Sequence, residues 1–110
     1  MKKDDSVYLH HIFDAIERIE TYTRSVEKEK YLQDLLLQDG VVRQLEIIGE
    51  ASTNLSEEFR EKHSEIPWGQ NVGLRNRIVH AYFDINTEIT WDIAHGDIPE
   101  LKIQIERILF

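Results

Sequence analysis

Between Asp5 and Val26 the apolar residues return every three or four positions. Leu9, Ile12, Phe13, Ile16, Ile19 and Val26 fall on one broad helical face, while Asp14, Glu17, Arg18 and Glu20 lie elsewhere. A chain that repeats this pattern must bury such a face against other helices. The 110 residues include only two prolines and five glycines, so little interrupts long helices. No stretch sustains the period-two alternation of a half-buried strand. The expected fold is all-α, a small antiparallel helical bundle of about five principal helices in one domain spanning the chain.

Further elements read off in order. A short helix through Tyr31, Leu32, Leu35 and Leu36 precedes a break at Asp39 and Gly40. The next helix runs from Val41 to Leu55, with Val41, Leu45, Ile48, Ser52 and Leu55 on one face and Arg43, Glu46 and Glu50 opposite. Gly49 in its middle costs about 1 kcal/mol relative to alanine, which points to close approach of another helix. Ser56 is placed as an N-cap of SEEFREKH. Pro67 suits the first turn of a helix over Trp68 to Tyr82. Asn86 caps a helix through Ile89, Trp91 and Ile93 that ends near His95 and Gly96. Asp97 and Glu100 have the spacing of a capping box. The last helix gathers Ile98, Leu101, Ile105, Ile108 and Leu109 on one side. Ile103 and Phe110 form a second stripe, which implies more contact than one small monomer offers.

Charge and composition remove several function classes. The absence of cysteine excludes disulfide scaffolds and thiolate metal sites. The N-terminus lacks the apolar core of a secretory signal, and no apolar run approaches a membrane span. A cytoplasmic protein without membrane contact is expected. The net charge of −8 repels nucleic acid on average. Residues 59–83 nevertheless sum to +2, through Arg60, Lys62, Arg75 and Arg77 against Glu61 and Glu65.

That electropositive stretch contains RNRIVHAYFDI, residues 75–85. On a regular helix Tyr82 returns nearly to the face of Arg75, and His80 lies about 140° round. Taken singly, each residue has an ordinary reading. The arginines suit a solvated face, His80 a helix C-terminus, and Tyr82 a half-buried core position. Trp68 and Trp91 read as core. Adjacent His10 and His11 point to different faces. Asp92 and His95 lack a third ligand, so no metal centre is expected.

With its flanks, the segment carries more. The spacing R-x-x-x-x-H-x-Y at Arg75, His80 and Tyr82 resembles the signature of HEPN-domain proteins of the HepT type. So do EIIGEA at 46–51, IPW at 66–68, GLRNRIVHAYFDI at 73–85 and DIPELKIQIERIL at 97–109. The resemblance implies a HEPN-like bundle that forms a homodimer with its active site at the interface. It implies metal-independent RNA cleavage, with no cofactor, by the toxin of a type VII toxin–antitoxin pair. The implied partner is an MNT-type minimal nucleotidyltransferase antitoxin, which silences the toxin by attaching AMP to Tyr82.

The residue types suit that chemistry. Metal-free cleavage makes the 2′-hydroxyl attack the adjacent phosphate, which needs a base, an acid and positive charge. Imidazole serves as base or acid near neutral pH, and a guanidinium fork grips phosphate oxygens. His80 is therefore the expected general acid or base and Arg75 the expected clamp on the phosphorane. One chain supplies one His80, and a two-fold dimer would supply two. Tyr82, Asn76, Arg77 and Glu50 are candidate phosphate-binding or supporting residues, with Glu50 able to orient Arg75 or His80. The RNA, whether tRNA or mRNA, is not legible. A competing reading is a non-catalytic HEPN dimer that binds nucleotide or RNA and docks a nucleotidyltransferase.

Overall fold

The computed structural model describes residues 3–78 and 85–110. Among these residues the helices are α1 Lys3–Thr23, α2 Lys28–Tyr31, α3 Leu35–Asn54, α4 Glu57–Lys62, α5 Trp68–Val72, α6 Leu74–Ile78, α7 Thr87–His95 and α8 Asp97–Leu109. The all-α expectation holds, with four longer helices and four short ones.

The frame is an antiparallel hairpin of α1 and α3. Leu9, Ile12, Ile16 and Ile19 of α1 meet Val41, Leu45 and Ile48 of α3, and all seven side chains are fully buried. Each such burial stabilises the fold by roughly 1.5–3 kcal/mol. Both ends of the hairpin are tied. At one end the Tyr22 ring lies against Gly40, where an added Cβ would come within 3.3 Å of the ring. At the other, buried Asp5 accepts from Ser56 N–H and from the Ser56 hydroxyl, both at 2.7 Å. Ser56 Oγ in turn accepts from Phe59 N–H at 3.1 Å, the expected N-cap of α4.

Three sequence expectations are corrected. The break at Asp39 and Gly40 does not occur: α3 starts at Leu35, because Asp34 caps it by accepting from Leu37 N–H at 3.0 Å. As a result Leu35 and Leu36 point outward, 74% and 84% exposed. The helix placed over Trp68 to Tyr82 is broken at Gly73 into α5 and α6, as far as the described residues reach. Asp97 is not a cap either. Gly96 occupies that position without a side-chain cap, and Asp97 has a different partner. Asn86 does cap α7, accepting from Ile89 N–H at 3.1 Å.

Helices of five residues are too short to persist alone, so α5 and α6 depend on packing. Trp68, Leu74 and Ile78 are buried, and Trp68 Nε1–H donates to the His63 carbonyl at 3.0 Å. Gly49 of α3 provides the close approach that its sequence position implied. A Cβ there would stand 3.0 Å from the Asn71 carbonyl of α5. On the far side α7 and α8 close the core. Tyr31 OH and Thr90 Oγ1 share a buried hydrogen bond of 2.6 Å, while Ile93, Ile98, Leu101 and Ile105 pack inward. Among the described residues no helix is long and apolar enough to cross a membrane.

Candidate active site

The α5–α6 arm presents Arg75, Asn76 and Arg77 consecutively, and all three are exposed. Leu74 and Ile78 bracket them and are buried, so the arm is anchored on both sides of its cations. The amide of Asn86 donates to the Ile78 carbonyl at 2.7 Å, which draws the two chain ends around residues 79–84 together. His80 and Tyr82, two of the three signature residues, lie outside the described residues.

Each arginine meets a carboxylate from a distant element. Arg75 Nη1 donates to Glu46 Oε2 of α3 at 3.3 Å, and Arg77 Nη1 donates to Asp97 Oδ2 of α8 at 2.9 Å. The Arg75 side chain is 60% exposed and that of Glu46 38%, so water screens the pair. Pairs of this kind contribute about 0–1 kcal/mol. A phosphate can therefore displace Glu46 from Arg75 at little cost.

The Arg75–Glu46 pair borders a shallow depression of about 190 Å³, lined also by Gly49, Glu50, Thr53 and Val72. Its floor exists because residue 49 has no side chain, and it can have none without pushing on α5. Glu50, the residue expected to orient Arg75 or His80, lines this depression one turn beyond Glu46. Among the described residues it makes no ion pair; the carboxylate on Arg75 is that of Glu46. Sequence placed Glu46 in a charge network with Arg43 and Glu50, and it singled out neither Glu46 as the partner of Arg75 nor Asp97 as that of Arg77; among the described residues Arg43 makes no ion pair. Glu46 stood in the polar face of α3, and Asp97 had the spacing of a cap. The local basic excess is thus offset in three dimensions by acids from α3 and α8.

A larger recess of about 880 Å³ lies elsewhere, lined by Asp5, Glu58, Lys62, His63, Gln104 and Arg107 among others. Arg107 stands ten residues beyond Asp97 on α8, or about 15 Å along that helix. Arg75, the signature residue among those described, does not line the recess. Among the described residues no group of three or more His, Cys, Asp or Glu side chains is placed to hold a metal ion. Trp68 is core as expected. Trp91 is half-buried, stacked on His95 at 3.7 Å and tilted against Tyr31.

A family model described as ribonuclease HepT-like matches residues 12–108. A Methanocaldococcus jannaschii protein, named a gamma-glutamylcyclotransferase together with a provisional RNase, is 42% identical over 109 residues. That match takes in 99% of this chain and 49% of the relative, so the chain spans about half of that protein's length. A Thermococcus cleftensis protein called a probable ribonuclease HepT is 42% identical over 108 residues, which is 98% of both chains. A provisionally named RNase of Caldanaerobacter subterraneus is 42% identical over 102 residues, covering 93% of this chain and 91% of the relative. No solved structure matches. On the match across residues 12–108 and these relatives, the chain belongs to the HepT-like ribonuclease family.

Proposed function

We propose that this protein is a metal-independent endoribonuclease, the toxin of a HEPN/MNT toxin–antitoxin pair that works as a homodimer. The observation that carries the reading is Arg75, an exposed guanidinium on an anchored arm whose partner is a weakly held carboxylate. RNA phosphate takes the place of Glu46 on Arg75. A His80 imidazole removes the 2′-hydroxyl proton, and the 2′-oxygen attacks phosphorus. Arg75 grips the extra negative charge of the phosphorane. The P–O5′ bond breaks, a second imidazole protonates the departing 5′-oxygen, and a 2′,3′-cyclic phosphate remains. The second His80 and second Arg75 come from the other protomer. Arg77 and Asn76 contact neighbouring backbone, and Glu50 supports the site from α3. The nucleotidyltransferase antitoxin attaches AMP to Tyr82, and the added anion competes with RNA for Arg75.

The test is cleavage of RNA by the purified protein in the presence of chelator, with product ends assayed for cyclic phosphate. His80→Ala is expected to lower the rate by about 10²–10⁴-fold. Cleavage as fast as the parent's in that variant removes His80 from the mechanism. Co-expression with a cognate transferase is expected to add AMP mass that Tyr82→Phe abolishes.

One observation favours a second reading, a non-catalytic dimer that docks the transferase. Arg75 and Arg77 are both paired with carboxylates on a chain of charge −8, which weakens its pull on RNA. Intact RNA together with tight transferase binding would select it.

A further inference from the structure

We propose that Asp97 is a positioning residue for the candidate active site: acting through Arg77, it braces α6 from the start of α8 and so fixes how the arm presents Arg75. What the brace serves rests on the ribonuclease reading above. The brace itself rests on the geometry of the described residues.

The end of α6 has two ties, and they lead to opposite ends of α7. The Ile78 carbonyl accepts from the amide of Asn86, one residue ahead of α7, at 2.7 Å. Arg77 Nη1 donates to Oδ2 of Asp97, two residues beyond α7, at 2.9 Å. α7 has nine residues, so about 13.5 Å of helix lies between the two attachments. A body held at one point still swings about it. A second hold at a distance from the first sets its direction.

α6 needs such a hold. It has five residues, too few to persist alone. Its buried residues, Leu74 and Ile78, are four apart and seat it along one line. Arg75 and Arg77 stand about 200° apart round that line. Their carboxylates come from α3 on one flank and α8 on the other, so the two pairs together resist roll of α6.

The pairs are unequal in the sense that these jobs require. Arg75 meets Glu46 at 3.3 Å with 60% of its side chain exposed, whereas Arg77 meets Asp97 at 2.9 Å with 38% exposed. The two acids differ little, at 38% for Glu46 and 45% for Asp97, so the contrast lies in the arginines. Water competes more strongly for Arg75, which suits a fork that exchanges its carboxylate for phosphate. That exchange frees the α3 flank of α6. The bond from Arg77 to Asp97 then holds the other flank while Arg75 works. Asp97 touches neither substrate nor reacting atoms in this scheme.

Asp97 also stands in the first turn of α8, where an acid complements the helix dipole. That role does not involve Arg77, so a double-mutant cycle separates the two. The variants are Asp97→Ala, Arg77→Ala and the pair together. Both side chains are part-exposed, and thermal melts are expected to show all three folded. Saturation kinetics on RNA are expected to give Asp97→Ala a kcat about tenfold below the parent's at unchanged KM. Arg77→Ala is expected to lose as much in kcat, and the double variant no more than Arg77→Ala alone. Hydrogen exchange of the Asn86 amide reads the brace without RNA. It is expected to quicken about threefold in Asp97→Ala and no further in the double variant.

The proposal is wrong if Asp97→Ala keeps the parent's kcat, if it raises KM instead, or if the two losses add in the double variant. Unchanged exchange at Asn86 in Asp97→Ala also overturns it. A parent that leaves RNA intact but shows the non-additive exchange keeps the brace and loses the ribonuclease reading. A parent that cuts RNA, with Asp97→Ala cutting equally fast, does the reverse.

Discussion

The α1–α3 hairpin and the α5–α6 arm solve opposite problems. The hairpin buries long apolar stripes, and both of its ends are tied, by Asp5 to Ser56 and by Tyr22 to Gly40. The arm consists of two five-residue helices and keeps three consecutive polar side chains in water. Trp68, Leu74 and Ile78, together with the contact at Gly49, set it against the hairpin. Burial is concentrated in the first region, and the proposed chemistry in the second, so substitutions should separate the two.

The largest effect is expected at Arg75. Arg75→Ala should lower RNA cleavage by about 10²–10³-fold. Its melting temperature should barely move, since it loses only an exposed ion pair. A loss of folding comparable to the loss of rate would make the arm part of the frame. Ile48→Ala is the reverse case. It should cost about 2–5 kcal/mol in urea unfolding while the folded fraction keeps its cleavage rate. A rate loss beyond the unfolded fraction would mean that the frame reaches into the chemistry.

Gly49→Ala probes the junction between the regions. Helix propensity favours alanine by about 1 kcal/mol, and crowding against the Asn71 carbonyl opposes it by about 1–3 kcal/mol. A net loss of about 1 kcal/mol is expected, with a further drop of about tenfold in cleavage as α5 shifts. A stabilised variant with full activity would show that the contact does not position Arg75. The smallest effect belongs to Tyr31. Burial pushes its phenol above the usual value, and the hydrogen bond to Thr90 partly opposes this. Folding thus favours the neutral ring. That contribution is complete below pH about 10 and is lost as pH rises through the folded value. Tyr31→Phe should cost about 1 kcal/mol at neutral pH and make the alkaline fall in stability shallower. Denaturation curves at neutral and alkaline pH measure both.

Much of the frame was legible because its causes are local. The stripe of α1, the caps at Ser56 and Asn86 and the close approach at Gly49 all follow from residues a turn or two apart. The start of α3 was misread because Leu35 and Leu36 resemble core when only their neighbours are seen. Asp39 and Gly40 resemble a break, yet Asp39 faces water and Gly40 faces the Tyr22 ring. At the candidate site, the exposure of Arg75, Asn76 and Arg77 fits the sequence reading. The acids that hold the two arginines do not follow from it. Glu46 is 29 residues from Arg75 and Asp97 is 20 from Arg77, separations at which periodicity carries no information.

The hydrogen bond from Asn86 to the Ile78 carbonyl closes a clasp at the base of the segment that carries His80 and Tyr82. The same residue caps α7 with its side chain, so α6 and α7 share a single rivet. Loss of Asn86 would unpin the end of one helix and the start of the next together.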